Sequence, residues 1–408
     1  MAVETATIVR ILISGGGIGG LTLAYWLKKF GFEPVVIEKS PALRTEGYMI
    51  DFFGSGWDVA ERMGLVERLR AVKYPIRGMS FVDGSGKAFF RTDLDRFREA
   101  CRGRYAYCLR SDLESLLWNA IKDDVEVRFS TSVRNLSLNR DPVEVTFDNE
   151  NREHFDLVIG ADGVSSNIRR RVFGPDALFS RYLGFAVAAF RVPNRWGIKD
   201  DLLIYQEPNR QAAFYPLAQG EIAALYLFKG PDPGFVPAGE RIGRLLDAFD
   251  GAGWILQDVL RAVPEGCPLF FDSLTQIRMP SWYQRRVALV GDACGCLTLL
   301  AGQGASMAMA ESFVLASELK KSGGDSRPAF QAYEKFLRPV IDAKQHRAVR
   351  FSKNFIPAGR FRIWLQRTYM RAAMSRLFIR RAAKFLGSES VLKDYGNSET
   401  DAVAANIL

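Results

Sequence analysis

The alternation of apolar and polar positions near the N-terminus predicts a strand, a turn, a helix and a second strand in close succession. A short apolar, β-branched run covers residues 8–13 and stops at a Gly-rich turn. Apolar positions at helical spacing continue from Leu21 to Lys28, and a second apolar run at 34–37 ends at Glu38. This order, completed within about thirty residues, is typical of a dinucleotide-binding βαβ unit.

The middle of the chain has a different pattern. Short β-rich runs at 184–190, 202–205, 212–215 and 222–228 are separated by the turn signals Pro193-Asn194, Pro208-Asn209 and Gln219-Gly220. These runs predict an antiparallel sheet. Residues 76–104 are expected to add to it through a hairpin turn at Asp83–Gly86. From about residue 303 to about residue 387 the apolar spacing becomes helical.

The Gly-rich turn, residues 15–20, suits the binding of a nucleotide phosphate. Gly15 permits the tight turn, Gly17 lets the backbone approach a pyrophosphate, and Gly20 lets the helix pack close to the sheet. The helix N-terminus adds unpaired N–H groups and partial positive charge. Glu38 can accept both ribose hydroxyls of an adenosine but would repel a 2′-phosphate, so FAD or NAD is favoured over NADP.

The basic charge of the chain is concentrated in one segment. The formal net charge is +9, and residues 347–384 contain eleven Lys or Arg residues with no Asp or Glu. This segment alone exceeds the net charge, so the rest of the chain is close to neutral. Basicity therefore gives no reason to expect nucleic acid as a partner.

The cysteines and histidines do not predict a metal site. Neither His154 nor His346 stands in an array of ligand residues, and the cysteines have irregular spacing. We expect five reduced thiols, at Cys101, Cys108, Cys267, Cys294 and Cys296. Because no signal peptide is recognisable and no apolar run reaches the ~18 residues that span a bilayer, we expect a cytoplasmic protein.

Two further segments have the pattern of a buried strand followed by an acid at a sharp turn. Residues 156–172 contain Asp162-Gly163 before a basic helix start, and residues 286–312 contain Gly291-Asp292 followed by Gly302-Gln303-Gly304. Alone, each segment is as consistent with an ordinary strand-to-helix junction as with a nucleotide-binding motif. The three motifs in this order are much more specific.

With these motifs the sequence resembles the single-component, FAD-dependent aromatic hydroxylases of the para-hydroxybenzoate hydroxylase type, the group A flavoprotein monooxygenases. The resemblance covers residues 8–340. Residues 47–56 are also similar to the tetracycline-inactivating branch of that family. The loop after Gly291-Asp292 departs from the family, because Cys294, Cys296, Thr298 and Leu299 stand where many members have His and Pro.

The resemblance implies a role for each motif. Glu38 would bind the adenosine ribose, Asp292 the ribityl or pyrophosphate region, and Asp162 both FAD and the pyridine nucleotide. Arg44 and Arg110 would contact FAD, although solvated surface charges remain an alternative. The N–H groups at 302–305 would stabilise the reduced flavin. The predicted FAD-binding residues are Gly15, Gly17, Ile18, Gly19, Gly20, Glu38, Lys39, Arg44, Arg110, Asp162, Gly163, Gly291, Asp292, Gly302, Gln303, Gly304 and Ala305.

The predicted fold class is α/β. We expect a Rossmann-like FAD domain of the glutathione-reductase type at 1–75, 105–180 and 272–335. An antiparallel-sheet substrate domain is expected at 76–104 and 181–271. A basic C-terminal helical region is expected at 336–408. We favour packing of this last region against the FAD domain, and the alternative is a cationic amphipathic helix on anionic lipid.

The resemblance implies a monooxygenase that consumes NADPH or NADH. One oxygen atom from O₂ would enter an aromatic or polyketide-like small molecule through a C4a-hydroperoxide of the flavin. Only one nucleotide fingerprint is present, so the nicotinamide would bind transiently. A reductase or dehydrogenase acting on an apolar, prenyl-type substrate remains an alternative, as does a non-catalytic flavin-binding module. The sequence leaves monomer and homodimer open.

The substrate is expected between the flavin and the sheet of the middle domain. The candidate contacts are Phe190, Phe214, Tyr215, Phe228, Thr298 and Leu299. For the aromatic residues, a place in the core of the sheet is the favoured alternative. The modest inference is an aromatic or apolar substrate.

Overall fold

The computed structural model describes residues 8–43, 48–72, 74, 76–299, 302–373, 390–393 and 395. Its strands are β1 (Arg10–Ser14), β2 (Glu33–Ile37), β3 (Met49–Phe53), β4 (Gly78–Val82), β5 (Ala88–Asp93), β6 (Tyr105–Leu109), β7 (Glu126–Arg128), β8 (Val133–Ser137), β9 (Val143–Phe147), β10 (Arg152–Phe155), β11 (Leu157–Gly160), β12 (Ser180–Pro193), β13 (Asp201–Glu207), β14 (Arg210–Pro216), β15 (Glu221–Lys229), β16 (Phe270–Ile277), β17 (Tyr283–Gln284) and β18 (Val287–Leu289). Its helices are α1 (Ile18–Lys29), α2 (Ser55–Arg62), α3 (Val66–Ala71), α4 (Leu94–Ala100), α5 (Arg110–Asn119), α6 (Asn167–Val172), α7 (Ala238–Ala248), α8 (Leu256–Arg261), α9 (Asp292–Gly295), α10 (Gly304–Lys321), α11 (Ser326–Phe355) and α12 (Arg360–Ala373).

The nucleotide-binding part of the fold is built on a six-stranded sheet with the order β17-β18-β11-β1-β2-β7. All its pairs are parallel except β17 with β18. Ile11, Leu12 and Ile13 of β1 are completely buried, as expected for a central parallel strand covered on both faces. The predicted βαβ unit is confirmed as β1, α1 and β2.

The middle of the chain forms a seven-stranded sheet with the order β16-β12-β15-β14-β13-β4-β5. The predicted hairpin at Asp83–Gly86 joins β4 to β5, which pair in antiparallel fashion. One pair, β13 with β4, is parallel, whereas the sequence analysis expected only antiparallel pairs. The reason is that β4 reaches this sheet from a distant segment, so no hairpin fixes its direction. The predicted α/β fold class is confirmed.

Each face of the seven-stranded sheet has its own cover. One face buries Phe190, Phe214 and Tyr226 together with Phe249 and Leu256, which come from the region of α7 and α8. The opposite face packs against the two-stranded β3–β6 sheet. The β3–β6 sheet in turn lies against the nucleotide-binding core through Phe52. A third small sheet, β10-β9-β8, is antiparallel.

The C-terminal region is helical where it is described, in α10, α11 and α12. The predicted helical stretch beyond residue 373 lies outside the described residues. Ile356 is buried with Phe185 and Val187, and the N–H of Asn209 donates to the carbonyl of Pro357 at 3.0 Å. Ile356 and Pro357 therefore contact the seven-stranded sheet. Other described residues of the predicted C-terminal region are buried in the nucleotide-binding core, as expected: Leu337, Ile341, Leu392 and Tyr395. None of the described helices combines the length and apolarity needed to cross a membrane.

Candidate flavin site

The Gly-rich turn connects β1 to α1 with very little free space. Gly15 has φ +118°, and a Cβ on it would lie 2.4 Å from the carbonyl oxygen of Ala161. A Cβ on Gly20 would lie 1.9 Å from the carbonyl oxygen of Gly15. Gly17 is the N-cap of α1 and contributes no side-chain hydrogen bond to it. The first turn of α1 therefore presents backbone N–H groups at the end of β1, where an anion is favoured.

Glu38 lies directly over this turn at the end of β2. Its two carboxylate oxygens accept hydrogen bonds from the N–H groups of Gly16 and Ser40, each at 2.9 Å. These bonds fix the carboxylate beside the first turn of α1, and a carboxylate accepts hydrogen bonds from hydroxyl donors. Ile18 and Gly20 are buried at the start of α1, and Lys39 is exposed.

Arg110 borders the cleft in front of the turn. Its Nη2 lies 2.7 Å from Oε1 of the buried Glu114, and a Cβ on Gly17 would lie 3.5 Å from the same nitrogen. Desolvation lowers the pKa of Arg110, but the charges of Glu114, Tyr48 and Asp292 raise it by more. A permanent cation thus lies beside the N-terminus of α1, which is suitable for a pyrophosphate.

Asp292 lies across this cleft, at the start of α9. Its side chain is accessible to solvent, yet the protein surrounding it desolvates the carboxylate and raises its pKa. Arg110 and Cys296 act in the opposite direction and lower the pKa.

Glu311, which the sequence analysis missed, holds the Gly291-Asp292 turn in place. Its Oε2 accepts a hydrogen bond from the N–H of Gly291 at 2.7 Å. The side chain is buried on α10, near Cys294 and Tyr333, and burial raises its pKa to about 8. The sequence contained one signal that could have identified Glu311: it is a glutamate on a helix face whose other residues, Met307, Ala310 and Val314, are apolar.

Changing Glu311 to Gln should remove a pH-dependent loss of stability. Folding raises the pKa of Glu311 from 4.5 to about 8, so between these values the folded state holds a proton that the unfolded state has lost. The stabilisation is complete below 4.5 and declines as the pH rises to about 8, by up to about 1.4 kcal/mol per pH unit. Urea unfolding of both proteins from pH 5 to 9 measures this. If the free energies of unfolding of the two proteins changed with pH in the same way, Glu311 would be ionised in the folded state, which would contradict the prediction.

Arg169, also missed, ties the Asp162-Gly163 motif to the Gly291-Asp292 motif. This arginine is fully buried on α6, and its guanidinium donates to the carbonyl oxygens of Val164 and Ala293. Asp176 provides the balancing charge at 2.6 Å. The single guanidinium thus fixes the separation of two loops that follow neighbouring strands, β11 and β18.

Asp162 caps the helix that carries Arg169. Its carboxylate accepts hydrogen bonds from the N–H groups of Asn167 at 2.7 Å and Ile168 at 3.1 Å, and from the hydroxyl of Ser166. Gly163 follows with φ +76°. The acid therefore shapes the loop at the end of β11.

The N-terminus of α10 forms the other end of the cleft. Gln303 is the N-cap of this helix, and its amide oxygen accepts a hydrogen bond from Nζ of Lys344. Desolvation, with a smaller effect of Arg347, lowers the pKa of Lys344 to about 8. The hydroxyl of Ser306 donates to the carbonyl of Phe53 at 2.9 Å, which attaches α10 to β3. Ala305 is half-buried between these contacts.

The residues present fit an extended dinucleotide such as the FAD predicted above. A Cβ added at Gly163, Gly302 or Gly304 would meet no described heavy atom within 4 Å, so the backbone there borders open space. The buried hydroxyl of Thr298, a residue with φ +78°, has no partner among the described groups. Glycine backbone bordering open space and an unsatisfied hydroxyl are what a bound polar ring system would complete.

The predicted substrate residues fall on two faces of the seven-stranded sheet. Phe190, Phe214 and Phe228 belong to the cluster under α7 and α8, on the face away from β3 and β6. For these three residues the structure therefore agrees with the alternative given above, a place in the core of the sheet. Tyr215 lies on the opposite face, with its ring centroid 5.9 Å from that of Tyr107. Leu299 is half-buried near Phe185, and Arg44 lies outside the described residues.

Comparison with known proteins agrees with this geometry. Residues 8–234 match the family described as "FAD binding domain". A flavin-dependent monooxygenase from an unknown prokaryotic organism is 34% identical over 351 residues, which cover 85% of this chain and 90% of that protein. A flavin-dependent monooxygenase of Legionella longbeachae serogroup 1 (strain NSW150) has the same identity and the same coverage.

The crystal structure of the tetracycline destructase Tet(51) is similar in fold. It superimposes with a TM-score of 0.80 at 28% sequence identity, covering 93% of this chain and 98% of that one. The resemblance inferred from the three motifs, and the similarity to the tetracycline-inactivating branch, are thereby confirmed at the level of the family.

Proposed function

Because the chain belongs to the FAD-binding-domain family that includes the flavin-dependent monooxygenases, we propose that it oxygenates an aromatic or polyketide-like small molecule with NADPH or NADH as reductant. The observation that carries this proposal is the order of groups beside the Gly-rich turn. Glu38 accepts a hydrogen bond from the N–H of Gly16, the guanidinium of Arg110 lies beside Gly17, and the charge of Asp292 acts on Arg110. We infer from this order one cleft that continues to the N-terminus of α10. From there β3 leads to the seven-stranded sheet.

The residues along this cleft divide the work of holding FAD. Glu38 would bind the adenosine ribose, and α1 with Arg110 would neutralise the pyrophosphate. The N–H groups at the start of α10 would face the pyrimidine ring, where the helix dipole and nearby Lys344 favour negative charge. Bound FAD supplies the redox and oxygen chemistry. The chain itself binds and orients the substrate and excludes water from the reacting atoms.

The substrate class is supported by the similarity to a protein named tetracycline destructase. It is also supported by the aromatic residues where the β3–β6 sheet packs against the seven-stranded sheet, which include Tyr105, Tyr107 and Tyr215. A flat polycyclic molecule matches such walls because stacked rings bury large apolar areas. The single fingerprint in the sequence supports transient rather than permanent binding of the nicotinamide.

The proposal is tested with the purified protein. We expect a yellow protein with bound FAD that oxidises NADPH or NADH with matched uptake of O₂ when a polycyclic phenolic substrate is added. Reaction under ¹⁸O₂ should put one labelled atom into the product. Product formation without label would point instead to the reductase or dehydrogenase activity. A colourless protein that takes up no FAD would contradict the proposal altogether.

A further inference from the structure

The face of β3 that looks towards the seven-stranded sheet carries one carboxylate. Along this strand Met49 and Phe53 belong to the cluster facing that sheet, whereas Ile50 and Phe52 contact the nucleotide-binding core. Asp51 shares the face of Met49 and Phe53 by the alternation of a strand. It is thus a charged group in an otherwise apolar and aromatic contact between two sheets.

Aromatic rings surround Asp51. It pairs in register with Tyr107 of β6, and the hydroxyl of Tyr105 donates to its carboxylate. The ring centroids of Tyr105 and Tyr107 are 6.3 Å apart, those of Tyr107 and Tyr215 5.9 Å, and those of Phe53 and Tyr105 6.1 Å. Four rings, drawn from both sheets, therefore lie around one acid.

Protein surrounds the carboxylate of Asp51 and desolvates it. The side chain is accessible to solvent, although Phe53, Tyr105, Tyr107 and Tyr215 are each less than 9% exposed. Desolvation by the surrounding protein raises the pKa of Asp51, and the hydrogen bond from Tyr105 partly offsets this. An accessible yet desolvated carboxylate between buried rings lies in an internal cleft, not on an outer surface.

Nothing described in this cleft balances the charge of Asp51. Among the side chains that the structure places, no Arg or Lys forms an ion pair with it. Arg104 pairs with Asp58 and Glu61, and Arg98, whose charge lowers the pKa of Tyr105, pairs with Asp95. Desolvation and the negative charge of Asp51 raise the pKa of Tyr105, and desolvation, Tyr215 and Asp51 raise that of Tyr107. The phenols consequently stay neutral. An anion enclosed by uncharged rings is complementary to a cation.

We propose that Asp51 and the rings of Tyr105, Tyr107 and Tyr215 bind a protonated amine on the substrate. The ammonium would pair with the carboxylate oxygen not engaged by Tyr105, and the ring faces would contribute cation–π attraction. A neutral hydroxyl could hydrogen-bond to Asp51 but would leave its charge uncompensated. The inference rests on the proposed function only in that the substrate occupies this cleft, and it narrows the substrate class to aromatic molecules with a basic nitrogen.

A matched pair of probes tests this inference on the flavin-loaded protein. Isothermal titration calorimetry at pH 7 compares 2-naphthylmethylamine, which is cationic, with 2-naphthylmethanol, which is neutral. We expect the wild type to bind the amine at least about tenfold more tightly than the alcohol. This ratio corresponds to a difference of about 1.4 kcal/mol in binding free energy. Asp51→Asn should abolish this preference, while the exposed Asp123→Asn, which has the same chemistry far from the cleft, should keep it.

A second variant separates the rings from the carboxylate. Tyr215→Leu should weaken binding of the amine several-fold more than binding of the alcohol, because it removes a π face but leaves Asp51 in place. Equal binding of both probes to the wild type, or a preference that persists in Asp51→Asn, would overturn the inference. Flavin content and ¹⁸O incorporation are measured separately, so a failure of the proposed monooxygenation leaves the probe comparison interpretable.

Discussion

Replacing Gly20 with alanine is expected to abolish FAD binding and to destabilise the nucleotide-binding fold. The added Cβ would lie 1.9 Å from the carbonyl oxygen of Gly15. The Cβ is attached rigidly to the backbone of α1 and the oxygen belongs to the backbone of the turn after β1, so α1 must move away from the sheet. We expect a loss of about 3 kcal/mol or more in the free energy of unfolding. Urea denaturation and the flavin absorbance retained after gel filtration measure the two effects.

Gly19 offers a control within the same turn. A Cβ at this position would lie 3.7 Å from Cβ of Ala308, an ordinary van der Waals contact, and alanine favours the helix by up to about 1 kcal/mol. Gly19→Ala should therefore fold at least as stably as the wild type. If Gly20→Ala behaved like Gly19→Ala, the close approach of α1 to the sheet would not be needed for the fold.

The second large effect is expected for Arg169→Met. This change leaves the carbonyl groups of Val164 and Ala293 without their donor and removes the partner of Oδ1 of Asp176, while Oδ2 keeps its bond from Arg170. Leaving a buried acceptor without its donor costs about 1–3 kcal/mol for each group, and the side chain of Asp176, which is 35% exposed, adds less. Because the same guanidinium joins two FAD motifs, the affinity for FAD should fall as well. Equilibrium unfolding and titration of the apoprotein with FAD give both quantities.

The neighbouring arginine supplies the matched control. Arg170 pairs with the same Asp176 at 2.8 Å, but its side chain is 42% exposed. Exposed ion pairs contribute about 1 kcal/mol or less, so Arg170→Met should have a small effect on stability and none on FAD affinity. Similar losses in the two variants would mean that the charge of Asp176, and not the link between loops, is what matters.

The sequence predicted those parts of the molecule whose signals are local. The βαβ unit was recognisable because the turn glycines and Glu38 stand at fixed spacings along one stretch of chain. The hairpin at Asp83–Gly86 was recognisable for the same reason. The family was identified from the order of three such motifs. The domain boundaries and the roles of individual FAD-binding residues stay predictions.

The parts that were missed depend on contacts between distant segments. Strand alternation shows that Phe214 and Tyr215 point to opposite faces, but only the packing of α7 and α8 decides which face is core. Likewise, in the sequence Arg169 is one of three consecutive arginines on a basic helix, and nothing local distinguishes it from the other two. Its burial follows from the position of α9, which lies more than a hundred residues further along the chain.

The pairing of β4 with β13 has a consequence for how the chain can be synthesised and dissected. The partner of β4 is made more than a hundred residues later, and the six-stranded sheet is likewise completed only when β18 joins β11. During translation, one edge of the early β4–β5 hairpin must remain unpaired, a state prone to aggregation. Neither sheet can be expressed without strands of the other, so shortened versions of this protein should accumulate in inclusion bodies.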